Sequence, residues 1–415
     1  MKPRSEPQGV DARRAALRLL DAVLRRGLPL EAALDAAARD LAKPEDRGLA
    51  HAIAAETLRR LPDLDAMIDS ATQQRLPPDA KARFALRIAL TQALALGTPP
   101  HAAISTVLPL VDGGPRRLVH GVLGALMRRN VTLPSPPSLP RAVAERWLTA
   151  WGPDMVDAAR RALAAPPPLD LSFRSADTAG QFEGEHLAKR HARIPAQSRV
   201  AELPGFAEGD WWVQDLAASI PARLLGKGEG RTVLDLCAAP GGKTLQLAAA
   251  GWRVTAVDSS AARLERLREN LGRTGLSAEI VEADVMAWQP PVPADAILLD
   301  APCSATGIFR RHPDVLHRVR PRVIAEMADL QRAMLARAAD WLKPGGTLVF
   351  STCSLEPQEG EAHLEHAPLQ LDPIGADELP SGIAPHPGGY VRTLPNMLAD
   401  KGALDGFFMA RFKAA

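Results

Sequence analysis

The chain has 415 residues, 46% of them hydrophobic, and this length predicts two or three domains with sizeable cores. The sequence contains no run of about 18 apolar residues and no apolar signal segment, so we expect a cytoplasmic protein without a membrane span. Three cysteines without CxxC or HExxH spacing argue against a disulfide framework and against a metal site, and the net charge of +2 does not by itself indicate a partner.

Residues 11–130 have the periodicity of a helical bundle. Apolar side chains such as Leu19, Leu20 and Val23 recur at helical spacing, and Gly or Pro residues interrupt the pattern at short intervals. Residues 1–130 are also basic, with 20 Lys and Arg against 14 Asp and Glu, whereas the rest of the chain has 30 against 34. This distribution is compatible with nucleic-acid binding, although solvated helix faces would produce the same count.

A proline-rich stretch marks the clearest domain boundary. Residues 133–140 include four prolines and predict a semi-rigid linker. We therefore expect a helical domain at 1–132, a small intervening α+β region at 141–225 and a C-terminal domain at 226–415. We also expect the protein to be a monomer.

From Thr232 onward, strand-like and helix-like segments alternate. The predicted strands lie at 233–236, 254–258, 279–284, 296–300 and 347–350, and the predicted helices at 244–250, 261–271 and 323–342. Such alternation is typical of a doubly wound, mainly parallel sheet in an α/β fold. The terminal segment 405–412 predicts a late strand that pairs antiparallel with an earlier one.

A glycine-rich turn follows the first predicted strand of this domain. It reads Cys237-Ala238-Ala239-Pro240-Gly241-Gly242-Lys243-Thr244. Paired glycines between a strand and a helix allow close approach of the backbone to a ligand. The turn is not a nucleoside-triphosphate loop, because Cys237 stands where that motif needs Gly, and the GxGxxG spacing of a dinucleotide site is absent.

Three acidic residues stand at the ends of successive strands: Asp258, Asp284 and Asp300. An acid that closes the second strand of a doubly wound fold typically accepts hydrogen bonds from ribose hydroxyls, and an acidic rim also suits a cationic sulfonium. The pattern predicts a nucleoside cofactor without a polyphosphate tail. The alternative is that one or two of these residues only cap helices.

Two of the three cysteines follow strand-like runs. They lie in Ala301-Pro302-Cys303-Ser304 and Ser351-Thr352-Cys353-Ser354, and the carboxyl ends of strands form the site in an α/β sheet. Two thiols delivered to that edge predict nucleophilic chemistry. The alternative is that both are small buried fillers, since free Cys is among the most buried residue types.

These motifs resemble those of S-adenosylmethionine-dependent RNA cytosine-C5 methyltransferases. The resemblance rests on the glycine turn with its strand, on 300–307, on Arg311-His312-Pro313-Asp314, on 351–354 and on 405–408, which occur in the family's order. It implies a Rossmann-like methyltransferase fold. The sequence departs from the family pattern at Ala305, where Gly is usual, and at Gly360, which replaces the Asn of a Glu-Asn-Glu motif.

The resemblance also implies roles for the site residues. Cys353 would attack C6 of the cytosine, which activates C5 for methylation, and Cys303 would assist the release of Cys353. Asp300 would share a proton with N3 or N4 of the base. S-adenosylmethionine would be bound by the glycine turn, from Cys237 to Lys243, together with Asp258, Asp284 and Asp300.

Two positively charged features of the sequence allow alternative interpretations. Lys243 is a candidate catalytic residue that would contact a phosphate or the cofactor carboxylate, or lower a thiol pKa, and its alternative is a solvated lysine at a helix start. The arginines that follow the first thiol motif predict a phosphate-contacting surface, with a solvated helix as the alternative: Arg310, Arg311, Arg318, Arg320 and Arg322.

The N-terminal region resembles the NusB-like RNA-binding domain, in segments 12–17, 58–65 and 117–129. Its fusion to a cytosine methyltransferase core is characteristic of bacterial ribosomal RNA enzymes of the RsmB type. The resemblance therefore implies methylation of a cytosine in 16S ribosomal RNA, with the helical domain supplying affinity and register. The same chemistry on transfer RNA or another ribosomal RNA site, or a non-catalytic RNA-binding factor, remain the alternatives.

Overall fold

The computed structural model describes residue 7 and residues 9–196 and 199–415. The N-terminal part is helical, as predicted: α1 Val10–Leu24, α2 Leu30–Ala37, α3 Pro44–Arg59, α4 Leu61–Ser70, α5 Lys81–Leu94, α6 Pro100–Val107 and α7 Gly113–Arg128. The periodic apolar residues of these helices form one core that includes Leu19, Leu20, Ile53 and Leu90. The short helices pack as a bundle because each buries one apolar stripe.

The bundle also buries several of its arginines. Arg87 donates two hydrogen bonds, of 2.8 and 2.9 Å, to the carboxylate of Asp65, and Arg83 forms ion pairs with Asp65 and Asp69. Arg83 and Arg87 are almost completely buried. Part of the basic surplus of residues 1–130 therefore stabilises the bundle and is not on its surface.

A small antiparallel sheet follows helices α8 Arg141–Trp151 and α9 Pro153–Leu163. Its elements are β1 Leu169–Phe173, α10 Ala176–Gln181, β2 Glu185–Ala188, β3 His191–Ile194 and β4 Trp211–Val213, in the strand order β2-β3-β1-β4. Helix α11 Leu216–Arg223 leads from it into the C-terminal sheet. The region between the proline-rich linker and residue 225 is thus α+β, as predicted.

The C-terminal region alternates strands and helices. Its elements are β5 Thr232–Leu236, α12 Gly242–Ala249, β6 Arg253–Asp258, α13 Ala261–Thr274, β7 Glu279–Glu282, β8 Ala294–Asp300, α14 Val315–Arg318, α15 Pro321–Ala339, β9 Leu342–Thr352, β10 Gln370–Leu371, β11 Val391–Thr393 and β12 Phe407–Lys413. Strands β5 to β9 pair in parallel in the order β9-β8-β5-β6-β7. The prediction of a doubly wound, mainly parallel sheet is confirmed.

The late strand pairs as predicted. Residues of β12 lie antiparallel to β9, with Phe408 opposite Thr352, and antiparallel to β10 and β11. Alternate residues of the buried strands point to opposite faces: Val233 and Leu298 pack in one core cluster, whereas Leu234 and Leu299 pack in another. Both faces of the sheet are therefore covered, which explains why its central strands are mostly apolar on both faces.

The Cα positions group the chain into two compact units. One unit comprises the described residues of 1–149, 159–165 and 311–319, and the other comprises those of 150–158, 166–310 and 320–415. In the first unit, His317 of α14 is hydrogen-bonded through Nε2 to the Leu58 carbonyl at 2.7 Å. Residues 311–319 thus group with the helical unit although they lie in the C-terminal part of the chain. The division predicted from the sequence, at 132, 140 and 225, stays a prediction. None of the described helices is both long and apolar enough to cross a membrane.

Candidate active site

The carboxyl ends of β5, β6 and β8 open into a cavity of about 500 Å³. Both Cys303 and Cys353 line this cavity, together with five of the residues predicted to bind a cofactor or the base: Cys237, Ala239, Asp258, Asp284 and Asp300. The other residues of the glycine turn are not among those that line the cavity: Ala238, Pro240, Gly241, Gly242 and Lys243. The sheet brings these residues together because parallel strands end at one edge.

The two thiols are adjacent. Cys303 Sγ lies 3.4 Å from Cys353 Sγ, and the backbone N–H of Ala301 donates to the Ser351 carbonyl at 2.9 Å, which holds the two loops side by side. Both cysteines are partly exposed to the cavity, which argues against the filler interpretation. The hydrogen bond with Cys353, together with burial, raises the pKa of Cys303 well above its usual value. Cys303 therefore holds its proton at neutral pH.

Glu359 connects the two thiol loops. Its carboxylate accepts hydrogen bonds from the Ser304 backbone N–H at 2.7 Å, from the Ser304 hydroxyl and, at 2.5 Å, from the Ser354 hydroxyl. Each serine directly follows one of the cysteines. Gln331 of α15 donates to Glu359 at 3.3 Å and to the Pro302 carbonyl at 2.7 Å. Burial raises the pKa of Glu359, while these donors oppose that rise.

Lys243 is buried and paired with Asp300. Its Nζ lies 2.7 Å from Asp300 Oδ2, and the other carboxylate oxygen, Oδ1, accepts a hydrogen bond of 2.8 Å from Ser351. The ammonium also lies 5.4 Å from the ring centroid of Phe407. Because only 9% of Lys243 is exposed, the alternative of a solvated helix-start lysine is wrong.

The glycine turn has a backbone that side chains would disrupt. Gly241 has φ of 107°, and a Cβ added there would lie 2.2 Å from the Leu267 Cδ1 atom of α13. Glycine is required because this left-handed conformation and the close approach both exclude a side chain. Cys237 also has a positive φ, of 62°. Burial and the nearby carboxylates raise the pKa of Cys237 to about 12, so this thiol is not a nucleophile at neutral pH.

Asp258 accepts several hydrogen bonds from the protein that the sequence did not predict. Its Oδ2 accepts from the Ala239 N–H at 3.1 Å, and its Oδ1 accepts from the Ser260 N–H at 2.9 Å and from Arg263 at 2.8 Å. A carboxylate offers about four acceptor sites, so one site remains free for a ligand. Half of the Arg263 side chain is exposed, so its hydrogen bond can be exchanged.

The carboxylate of Asp284 holds a turn at the edge of the cavity. Its Oδ1 accepts a hydrogen bond of 2.8 Å from the Met286 N–H in the turn after β7. No helix of the described residues begins there, so the helix-capping alternative does not apply to Asp284. The residue also lines the cavity, and a single hydrogen bond leaves acceptor sites for a ligand.

Asp235 is a buried acid behind the glycine turn. It is completely buried in β5, where it accepts a hydrogen bond of 2.5 Å from Thr244, while its Oδ1 atom has no partner among the described residues. Burial and the neighbouring acids Asp300 and Asp258 raise its pKa to about 7. The turn is thus anchored to β5 through Thr244.

The arginine surface predicted after the first thiol motif is wrong for Arg310. This residue is only 1% exposed, and it forms ion pairs with Asp215 at 2.9 Å and with Asp405 at 2.8 Å. It therefore fixes the loop after Cys303 from within the core. Among the other members, Arg318 pairs with Asp314 in the helical unit, and the exposed Arg322 pairs with Glu326.

Sequence reasoning missed several contacts of the site. Arg263 and Gln331 contact site residues but lie in helices whose patterns predict only packing, and the contact of Ser351 with Asp300 was not predicted although Ser351 stands in the second thiol motif. The role of Ser304 and Ser354 had a detectable signal, because each follows a strand-end Cys in a matching tetrapeptide. The described residues contain no group of three His, Cys, Asp or Glu arranged to hold a metal ion.

Two family models match the chain. Residues 222–413 match the family model described as 16S rRNA methyltransferase RsmB/F, and residues 10–128 match the NusB family. The methyltransferase homologue from Pyrococcus horikoshii, a solved structure, aligns with a TM-score of 0.55 at 25% identity, over 70% of this chain and 98% of that one. Both predicted resemblances, to a Rossmann-like methyltransferase and to NusB, are confirmed.

Curated relatives span nearly the whole chain. Ribosomal RNA small subunit methyltransferase B from Xanthomonas campestris is 35% identical, over 89% of this chain and 91% of the relative. The protein of the same name from Pseudomonas syringae is 35% identical, over 97% of this chain and 96% of the relative. The chain therefore belongs to the RsmB/F family of 16S rRNA methyltransferases.

Proposed function

We propose that this protein methylates C5 of a cytosine in 16S ribosomal RNA, with S-adenosylmethionine as methyl donor, through a covalent bond between Cys353 and C6. The observation that carries the proposal is the pair of thiols, 3.4 Å apart, in a cavity that Asp258 and Asp300 also line. A single thiol could serve addition to C6, but two adjacent thiols support both addition and release.

The cavity fits a nucleoside cofactor. Asp258 retains one free acceptor site for a ribose hydroxyl, and Asp284 lies on the same lining beside Val285 and Met286, which suit a base. The cofactor, when bound, would supply an electrophilic methyl group. The carboxylates on the lining favour a cationic sulfonium over a polyphosphate.

Cys353 would act as the nucleophile. Cytosine C5 is a poor nucleophile until a group adds to C6, and a thiolate combines reactivity with reversible addition. Cys353 lines the cavity and lies at the end of β9, which β8 and β12 hold on both sides. Its addition makes a new S–C6 bond and moves the electron pair of the C5–C6 double bond toward C5 and the ring nitrogen.

Asp300 and Lys243 would stabilise the ring in this state. The carboxylate of Asp300 holds hydrogen bonds from Lys243 and Ser351, and its remaining acceptor sites are available to the N4 amino group. Charge that develops on N3 needs a proton, and the Lys243 ammonium is the donor already bound to Asp300. We infer that the pair orients the base and shares this proton.

Cys303 would assist the final step. After C5 has taken the methyl group, water in the open cavity would accept the C5 proton and N3 would return its proton to the Asp300–Lys243 pair, while the bond between Cys353 and C6 breaks and the sulfur leaves as a thiolate. Cys303 Sγ lies 3.4 Å from that sulfur, and its raised pKa keeps a proton on it. Its S–H can therefore donate to the departing thiolate and favour release.

The helical unit would bind RNA. Curated relatives named ribosomal RNA small subunit methyltransferase B share this unit, and helix α7 exposes Arg116, Arg117 and Arg128, for which no ion pair is found among the described residues. Such cations contact phosphates without reading sequence. Affinity and register would come from this unit, and chemistry from the cavity.

A tritium-release assay tests the proposal. RNA labelled with tritium at C5 of cytosine loses the label only when C5 is substituted, so 16S RNA incubated with the protein and S-adenosylmethionine should release tritium. Release from transfer RNA or 23S RNA but not from 16S RNA would assign the same chemistry to another substrate. No release from any of these, whether as naked RNA or as subunit particles, would leave only a non-catalytic RNA-binding factor.

A further inference from the structure

A second cavity, of about 530 Å³, lies at the edge of the large sheet opposite to the thiols. Its lining includes Gly226 and Lys227, which precede β5, and Gly251, which precedes β6. The C-terminal end of α12 and the turn between β2 and β3 also contribute residues to the lining of this cavity. Because β5 and β6 are parallel, these residues gather at the amino ends of the strands, away from the proposed active site.

This cavity is cationic. Four of its lining residues are Lys189, Arg190, Arg223 and Lys227, and none of the described residues that line it is an Asp or Glu. No ion pair involving these four side chains is found in the described residues. The two lysines are exposed and the two arginines are half-buried. The positive charge of the cavity is therefore not compensated by the protein.

The two arginines are held by neutral oxygens only. Arg223 donates to the Ser219 hydroxyl at 3.0 Å and to the Lys189 carbonyl at 2.8 Å, and Arg190 donates to the Ala249 carbonyl at 3.2 Å. These contacts orient the guanidinium groups but do not neutralise them. Burial and the charge of Arg190 lower the pKa of Arg223 to about 10, so an anion placed in the cavity would relieve an existing repulsion.

The turn that carries two of the cations does not have the residue types that its conformation favours. Lys189 and Arg190 form the two-residue connection between β2 and β3, where Gly, Asn or Asp are the usual residues. Arg190 has φ of 60°, a left-handed conformation that is sterically unfavourable for a non-glycine residue. A long cationic side chain at this position does not stabilise the turn, but it adds positive charge to the cavity.

We propose that this cavity binds a phosphodiester group of the RNA substrate. Guanidinium groups match the geometry of phosphate oxygens, and the cavity is larger than one phosphate, with alanine walls at Ala222, Ala249 and Ala250 that suit a sugar. The exposed Lys189 and Lys227 favour a polyanion that continues beyond the cavity over an enclosed small anion. The identity of the polyanion as RNA rests on the proposed function.

The test uses the full chain and a 16S RNA fragment that supports methylation. A Lys189→Gln/Lys227→Gln variant removes two exposed charges, so it should fold, and an Arg223→Gln variant removes the half-buried one. The matched control is Arg253→Gln/Arg266→Gln, two exposed arginines on β6 and α13 outside the cavity. RNA affinity is measured against salt concentration, and melting temperature reports folding.

We expect the lysine double variant to bind RNA about tenfold more weakly in low salt and to lower the slope of log affinity against log salt by about 2, since each lost phosphate contact lowers it by about 1. The control should change neither quantity. An unchanged affinity and slope in the lysine variant would overturn the proposal.

Two further outcomes separate the possible sources of phosphate. Inorganic phosphate at millimolar concentration that raises the wild-type melting temperature, while the lysine variant keeps its RNA affinity, would assign the cavity to a small free anion and overturn the RNA assignment. Failure of the wild-type protein to release tritium would contradict the proposed function alone, because the salt dependence of RNA binding is measured without turnover.

Discussion

Lys243 Nζ lies 2.7 Å from Asp300 Oδ2, and this ion pair connects the first turn of α12 to the carboxyl end of β8. The side chain of Lys243 is 10% exposed and that of Asp300 is 31% exposed. The carboxylate therefore faces the cavity, while the ammonium supports it from behind. In the proposed function, this pair is the route by which Lys243, outside the cavity lining, would act on the base.

Lys243→Gln should slow methyl transfer. Loss of the ammonium removes the donor that holds the Asp300 carboxylate and shares a proton with the base in the proposed function. We expect kcat at pH 7 to fall roughly 100-fold, within the range for general acid–base groups. Steady-state kinetics at saturating RNA measure this loss. Lys243→Arg keeps the charge and should retain most of the wild-type kcat, and a wild-type kcat in Lys243→Gln would show that methyl transfer does not depend on the pair.

Replacement of the two cysteines by Ala should block the reaction at different steps. Cys353→Ala removes the group that adds to C6, so methyl transfer and covalent adduct should both disappear. Cys303→Ala leaves addition intact but removes the donor to the leaving sulfur, so a protein–RNA adduct should accumulate. A gel shift that survives denaturant detects it. If Cys353→Ala trapped RNA and Cys303→Ala did not, the nucleophile would be Cys303.

Glu359→Gln should slow turnover without loss of the fold. Gln replaces one carboxylate oxygen with an NH2 donor, so it cannot accept all three hydrogen bonds that Glu359 accepts, from the Ser304 backbone N–H on Oε1 and from the Ser304 and Ser354 hydroxyls on Oε2. The two thiol loops would lose their shared anchor, and a displacement of about 1 Å at reacting atoms costs about 100-fold. Single-turnover rates should fall roughly 10- to 100-fold at unchanged RNA affinity.

The control for this change is Glu365→Gln, an exposed glutamate on the same segment. It should leave rate and melting temperature unchanged. A Glu359→Gln protein that melts like wild type and methylates at the wild-type rate would contradict the positioning role of Glu359.

Asp235→Asn should flatten the pH dependence of stability. The pKa of Asp235 is raised to about 7 in the folded protein, so the folded state binds a proton more tightly than the unfolded state. This contribution to stability is present below about pH 4 and is lost as the pH rises through 7. Asn does not titrate, so the variant should gain on wild type by a few °C between pH 5 and pH 8.5, at about 2–4 °C per kcal/mol.

Melting curves at the two pH values measure this difference. The exposed Asp329→Asn on α15 serves as the control and should follow wild type at both values. A variant that loses stability more steeply than wild type as the pH rises would show that Asp235 is charged in the folded protein.

The sequence alone determined the order of the elements and the edge at which the chemistry lies. Continuous apolar runs predicted the buried strands, and Cys303, Cys353, Asp258 and Asp300 followed them directly. Since parallel strands end at one edge, the position of each residue in its run was enough to place all four at the same cavity. The paired glycines were also visible in the sequence, where they predicted close approach of a ligand, whereas only the structure showed that Gly241 packs against Leu267.

Only the tertiary structure decided which side chains act on one another. The partners of the site come from elements distant in the chain, such as Gln331 and Glu359 for the thiol loops or Asp405 for Arg310. No periodicity encodes such pairs, since hydrophobic spacing reports which face is buried and not what it meets. Burial likewise separated Arg310 from its exposed neighbours and Lys243 from solvent, because exposure depends on the packing of several elements at once.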